Sequence, residues 1–106
     1  MKEIRYHNSV LIFFDELFDV LIDQGYFSQY ESSAKYLDDL ILFIENNIDK
    51  YPIKKAPEYF SKFGHDLFYM CYERNAQTTW YIFFEQGIDF LYIKHITNNH
   101  VVGKFI

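Results

Sequence analysis

Between Leu67 and Ile96 the chain reads LFYMCYERNAQTTWYIFFEQGIDFLYIKHI, three apolar, aromatic-rich runs broken by polar or glycine-containing intervals. The runs are Leu67–Glu73, Thr79–Glu85 and Phe90–Ile96. Tyr, Phe, Trp, Ile and Thr suit a pleated, half-buried surface. The interval Arg74-Asn75-Ala76-Gln77-Thr78 and the pair Gln86-Gly87 suit hairpin connections. The stretch predicts an antiparallel meander of three strands. One face of such a sheet is oily and cannot stand bare in water, so the rest of the chain must cover it.

The first half supplies the cover. Lys2 to His7 is short and mixed, suited to an edge strand added to the meander, and Asn8 or Ser9 can cap the helix that follows. Val10, Phe13, Phe14, Leu17, Phe18 and Leu21 recur at helical spacing, with Asp15, Glu16, Asp19 and Asp23 mainly on the other side. Gly25 is well placed as the helix stop. Ser28-Gln29-Tyr30-Glu31 matches a capping box, in which Ser and Glu each satisfy a free backbone N–H at a helix start. A second helix follows, with Leu37, Leu40, Ile41, Ile44 and Ile48 as its apolar stripe and Asp38, Asp39 and Glu45 toward solvent. Tyr51 to Gly64, containing Pro52 and Pro57, separates this hairpin from the meander. The tail from Thr97 is polar at first and ends with Val101, Val102, Phe105 and Ile106. The expected fold is α+β: one domain over residues 1–106, a helical hairpin packed on one face of an antiparallel sheet of three or four strands.

At 106 residues, half of them hydrophobic and 22% aromatic, the chain can bury a core without disulfides or a structural metal. Cys71 is the only cysteine, so there is no disulfide framework; inside a strand run it reads as a buried thiol. The N-terminal residues are charged with no signal-peptide pattern, and no apolar run nears the roughly 20 residues that cross a bilayer. The expectation is a soluble cytoplasmic protein without membrane contact. Residues 1–50 hold ten Asp/Glu and four Lys/Arg, whereas residues 51–106 hold five and six. So acidic a first half argues against broad nonspecific nucleic-acid binding. A bound polyanion would have to meet the sheet half.

No self-sufficient catalytic motif is present. The glycines are isolated, so no phosphate loop exists, and Asp38-Asp39 are adjacent on a helix and splay apart. His95 and His100 lack a carboxylate at ligand spacing, and neither a metal nor another cofactor is expected. The set that could carry chemistry is Arg74, Lys94, His95, Asn98, Asn99 and His100. In an up-down-up meander the ends of the first and third strands lie at one edge, which brings these residues near one another. A histidine beside Arg or Lys suits metal-free RNA cleavage: one group takes the 2′-hydroxyl proton while cations stabilise charge on the phosphate. The alternative is a set of ordinary polar residues at a strand end. Tyr69, Tyr72, Trp80, Tyr81 and Tyr92 could stack bases, but core filling is the simpler use.

A helical hairpin, a proline-containing loop and a meander with a His-bearing tail, with the runs LFYMCYERNAQTTWYIFFEQ and FLYIKHITNNH, resemble the RelE/ParE superfamily of bacterial toxins. That resemblance covers nearly the whole chain. It implies the toxin of a type II toxin–antitoxin pair, neutralised by a small antitoxin protein. RelE-like members cut mRNA on the ribosome without a metal; ParE-like members poison DNA gyrase. Carried over, it implies His100 as the late general acid/base, with Arg74 and Lys94 as phosphate contacts. His95, Asn99 and the basic residues Lys54, Lys55 and Lys62 would contact substrate. The acidic composition departs from the usually basic RelE-like nucleases and leaves room for a ParE-like protein target or a non-catalytic binding module.

Overall fold

The computed structural model describes residues 2–23, 30–50 and 54–102. Gly25, Ser28, Gln29, Pro52, Phe105 and Ile106, singled out above, lie outside the described residues. The element order is β1 (Glu3–Tyr6), α1 (Asn8–Asp23), α2 (Tyr30–Asn47), β2 (Lys54–Lys55), a 3₁₀ turn (Glu58–Phe63), β3 (Phe68–Glu73), β4 (Thr79–Gln86), β5 (Phe90–Asn98) and α3 (Asn99–Val102). The α+β class and the helices facing the meander are as expected.

The sheet itself differs. It has five strands in the order β1-β5-β4-β3-β2, and it is mixed. From β2 to β5 each pair is antiparallel, but β1 runs parallel to β5, from Glu3 opposite Phe90 to Tyr6 opposite Ile93. Parity accounts for this. If the chain turns back at each connection, six reversals separate β1 from β5, and an even number restores the direction. An N-terminal strand docking beside the last strand must then be parallel to it.

The start of α1 is fixed by His7 rather than Asn8 or Ser9. Its carbonyl accepts from the amides of Val10 (2.9 Å) and Leu11 (3.2 Å), and its ring Nδ1 accepts from the Ser9 amide (3.1 Å). A ring nitrogen thus fills the role a capping hydroxyl or carboxylate usually takes.

Two cores sandwich the sheet. On one face Val10 and Phe14 of α1 and Leu40 and Ile44 of α2 pack with Met70, Trp80, Ile82, Phe84, Leu91, Ile93 and Ile96. On the other, the 3₁₀ turn lays Phe60 and Phe63 over Leu67, Tyr69 and Phe83. Phe60 is fully buried and stacks on Phe83 at 4.4 Å between ring centroids. The proline-containing segment is therefore a lid on the second face and not merely a spacer.

A bulge decides which face receives the end of β5. Phe83 pairs with His95 and Phe84 with Ile93, leaving Lys94 as an extra residue. Such an insertion breaks the period-two alternation. Leu91 and Ile93 before it and Ile96 after it all reach the helix-side core, while His95 turns to the second face and stacks on Phe63 at 3.7 Å.

Candidate functional site

Strands β3 and β5 run in the same direction, and their C-terminal ends meet at one end of the sheet. There Glu73 pairs with Thr79, and Trp80 pairs with Asn98. A cleft of about 450 Å³ opens at this end, with Arg74, Asn75, Thr78, Asn98 and His100 on its polar side. Leu17, Val20 and Leu21 of α1, Tyr36 of α2 and Trp80 form its apolar wall.

The polar side is built by the β3–β4 turn. The Arg74 amide donates to the Thr78 carbonyl (2.9 Å), and the Asn75 side-chain oxygen accepts from the amides of Gln77 and Thr78 (2.9 Å each). This self-capping is why Asn recurs at such turns. The Arg74 guanidinium lies over the Tyr36 ring, 4.6 Å from its centroid, and one terminal nitrogen stands 4.0 Å from Asp39 Oδ2. Trp80 Nε1 donates to the Tyr36 hydroxyl (3.1 Å), fixing the ring beneath the guanidinium. Arg74 Nε is buried and has no hydrogen-bond partner among the described residues.

The tail docks on the same turn through Asn99. Its side-chain oxygen accepts from the Thr79 amide (2.9 Å) and its nitrogen donates to the Gln77 carbonyl (3.1 Å). Asn98 accepts from the backbone amide of His100 (3.0 Å). His100 Nε2 then lies 3.3 Å from the Thr78 hydroxyl, with the ring exposed at the cleft mouth. The cleft therefore joins a guanidinium, an imidazole and an aromatic wall.

The other expected site residues lie elsewhere. Lys94 is the bulge residue, its ammonium 4.8 Å from the Tyr92 ring centroid. His95 is on the second face, where burial, and after it the charge of Lys62, lower its pKa below the ordinary imidazole value. Lys62 lies over the Tyr59 ring (4.4 Å) on the 3₁₀ turn. Lys54 and Lys55 are exposed on β2, opposite Tyr69 and Phe68 at the start of β3. At roughly 3.3 Å per residue along β3, that is about 17 Å from the Arg74 end. The depression beside them, about 530 Å³ and more open, holds the exposed His65–Asp66 pair (3.3 Å). It is larger than the cleft but brings no imidazole and guanidinium together. Cys71 is half-buried, and its thiol pKa is raised by burial, against a smaller lowering from Lys54.

Tyr36 and Thr78 line the cleft, and Asp39 stands beside its arginine, without having been singled out as site residues. Asp39, expected to face solvent, is only about a third exposed because it turns toward Arg74. The available signal was its position one helical turn from Tyr36 and Phe43, both packed against the helix-side core. Among the described residues no group of three His, Cys, Asp or Glu could hold a metal, and no helix is long and apolar enough to cross a membrane.

No protein-family model, curated protein or solved structure matches this chain.

Proposed function

We propose that the chain is the toxin of a type II toxin–antitoxin module of RelE/ParE type, a metal-free cytoplasmic mRNA endonuclease held in check by a small antitoxin. One observation carries the reading: Arg74 and His100, distant in sequence, line a single cleft with Asn98 and Thr78. The helical hairpin, the meander and the His-bearing tail on which the resemblance rests also support it. In this reading His100 removes the 2′-hydroxyl proton and the 2′-oxygen attacks the adjoining phosphorus. The 5′-oxygen then leaves with a proton from solvent, yielding a 2′,3′-cyclic phosphate. Arg74 stabilises the extra negative charge on the phosphoryl oxygens. The Thr78 hydroxyl orients the imidazole.

The charge distribution favours a second reading. Asp39 beside Arg74, the acidic helices and the apolar cleft wall with Val20 at 44% exposure suit a protein surface better than a polyanion. The target would then be a protein such as DNA gyrase, as in ParE-like toxins. Pulse labelling after induction of the chain alone separates the two. The endonuclease stops methionine incorporation first and loses that effect in His100→Ala, with fold and antitoxin binding intact. Early loss of thymidine incorporation, unaffected by His100→Ala, would replace the nuclease by the gyrase reading. If neither falls while soluble protein is made, the toxin reading fails and a binding module remains.

A further inference from the structure

The cleft's only arginine already has an anionic neighbour. Asp39 Oδ2 lies 4.0 Å from Arg74 Nη2, at the long limit of an ion pair, with both side chains about a third exposed. The same carboxylate takes a much closer contact from Lys35 Nζ, at 3.2 Å. Arg74 is therefore loosely held where a direct guanidinium–carboxylate contact would normally be 2.7–2.9 Å. Its Nε–H, buried and unpaired among the described residues, is a second sign of an incomplete arrangement. A buried donor without an acceptor costs free energy, and it marks a guanidinium whose hydrogen-bonding capacity is not used up, leaving its part-exposed terminal nitrogens to an oxyanion. Beneath it, the Tyr36 ring, tied to Trp80, keeps the guanidinium plane in place while its partner is exchanged.

We infer that Asp39 is a built-in competitor for the anion-binding side of the cleft: its carboxylate occupies Arg74 until a phosphate-class ligand displaces it, and Lys35 tempers its hold. Asp39 thus sets how strongly an oxyanion must bind and disfavours stray monoanions. It is a specificity-determining residue, not one that touches the reacting atoms. The inference deepens the proposed cleft and rests on that reading for its biological ligand, but its physical content is testable with inorganic phosphate alone.

The test is titration of the intact chain with inorganic phosphate, observed at the arginine Nε–Hε NMR signals. The sequence has only two arginines, Arg5 and Arg74, so Arg5→Lys assigns them. In the wild type the Arg74 signal should shift with phosphate while the Arg5 signal stays. Asp39→Asn should tighten the apparent phosphate Kd by roughly two- to fivefold, the worth of a partly exposed ion pair. Asp38→Asn changes net charge equally one residue away on an exposed position and should move Kd less than twofold. Lys35→Met should weaken phosphate binding by leaving Asp39 to Arg74. Equal tightening by Asp38→Asn and Asp39→Asn would show a general field effect and overturn the competitor role. No response of the Arg74 signal in either the wild type or Asp39→Asn would overturn the site itself. The nuclease reading fails separately, through His100→Ala and pulse labelling, and its failure leaves the phosphate result standing.

Discussion

Asn99 is where the two accounts of the tail part most sharply, because a residue that touches substrate and one that fastens the tail respond differently to truncation. Its amide makes two hydrogen bonds to the backbone of the β3–β4 turn, one to the Thr79 amide and one to the Gln77 carbonyl. At a net worth of about 1 kcal/mol each, Asn99→Ala should destabilise the protein by roughly 2 kcal/mol. For a domain of this size that lowers Tm by on the order of 10 °C. Asn99→Asp keeps the acceptor for Thr79 and loses the donor to Gln77, so it should fall between the two. Urea titration followed by the fluorescence of Trp80, the sole and buried tryptophan one residue beyond Thr79, reads the loss directly.

The same truncation should release His100 from Thr78, because Asn99 is what brings the tail onto the turn. The His100 ring NMR signals should move toward those of an unstructured histidine, and any RNA cleavage should fall while substrate affinity changes little. If Asn99→Ala instead leaves stability within about 0.5 kcal/mol of wild type, the size of an ordinary surface change, the two bonds do not hold the tail. Weakened RNA binding with an unchanged His100 environment would then make Asn99 a substrate contact.

Two further outcomes follow from the charges. The folded state holds His95 with a lowered pKa, so the unfolded chain binds its proton more readily: His95 contributes full stability above the unfolded value near pH 6.5, and part of it is lost as pH falls toward the folded value. His95→Phe, which keeps a ring against Phe63, should flatten the fall of urea midpoints between pH 7.5 and 5, and an unchanged slope would assign it to other groups. For single-stranded RNA, a cleft with one arginine and remote lysines predicts a log Kd–log salt slope of about 0.7, the value for one neutralised phosphate. A slope near 3 would bring Lys54, Lys55 and Lys62 into the interface.

What could be read from the chain was what short-range periodicity controls. The three meander strands lie within two residues of the apolar runs, because alternation and turn chemistry are local. The meeting of Arg74 with the tail follows from the parity of a meander. The parallel β1 did not follow, since it depends on a docking between the two ends of the chain that no local pattern records. The separation of Lys94 and His95 from the cleft comes from the bulge. Its trace was there: Leu91 and Ile93 keep the period of two, then Lys94-His95 puts the next apolar residue at Ile96. Read as a plain strand, that doublet seemed to continue toward the site; read as an insertion, it sends His95 to the opposite face.

The uneven charge of the sequence also acquires a place in the fold. The acidic half contributes α2, and α2 sets Asp39 against the single arginine of the sheet half. The acidic half and the cation-bearing half thus come within ion-pair range beside the cleft where His100 and Arg74 converge. A cleft arranged this way does not gather polyanions by long-range attraction, because the nearest charge to its cation is already negative and lies well inside a Debye length. Affinity there must come from short-range complementarity, a group that pairs with the Arg74 guanidinium together with one that suits the wall of Leu17, Val20 and Trp80. That requirement narrows the partner whichever target is correct: a nuclease of this design would bind RNA only in a defined pose, and a protein-directed toxin would present an acidic or hydrogen-bonding group to Arg74 beside an apolar side chain.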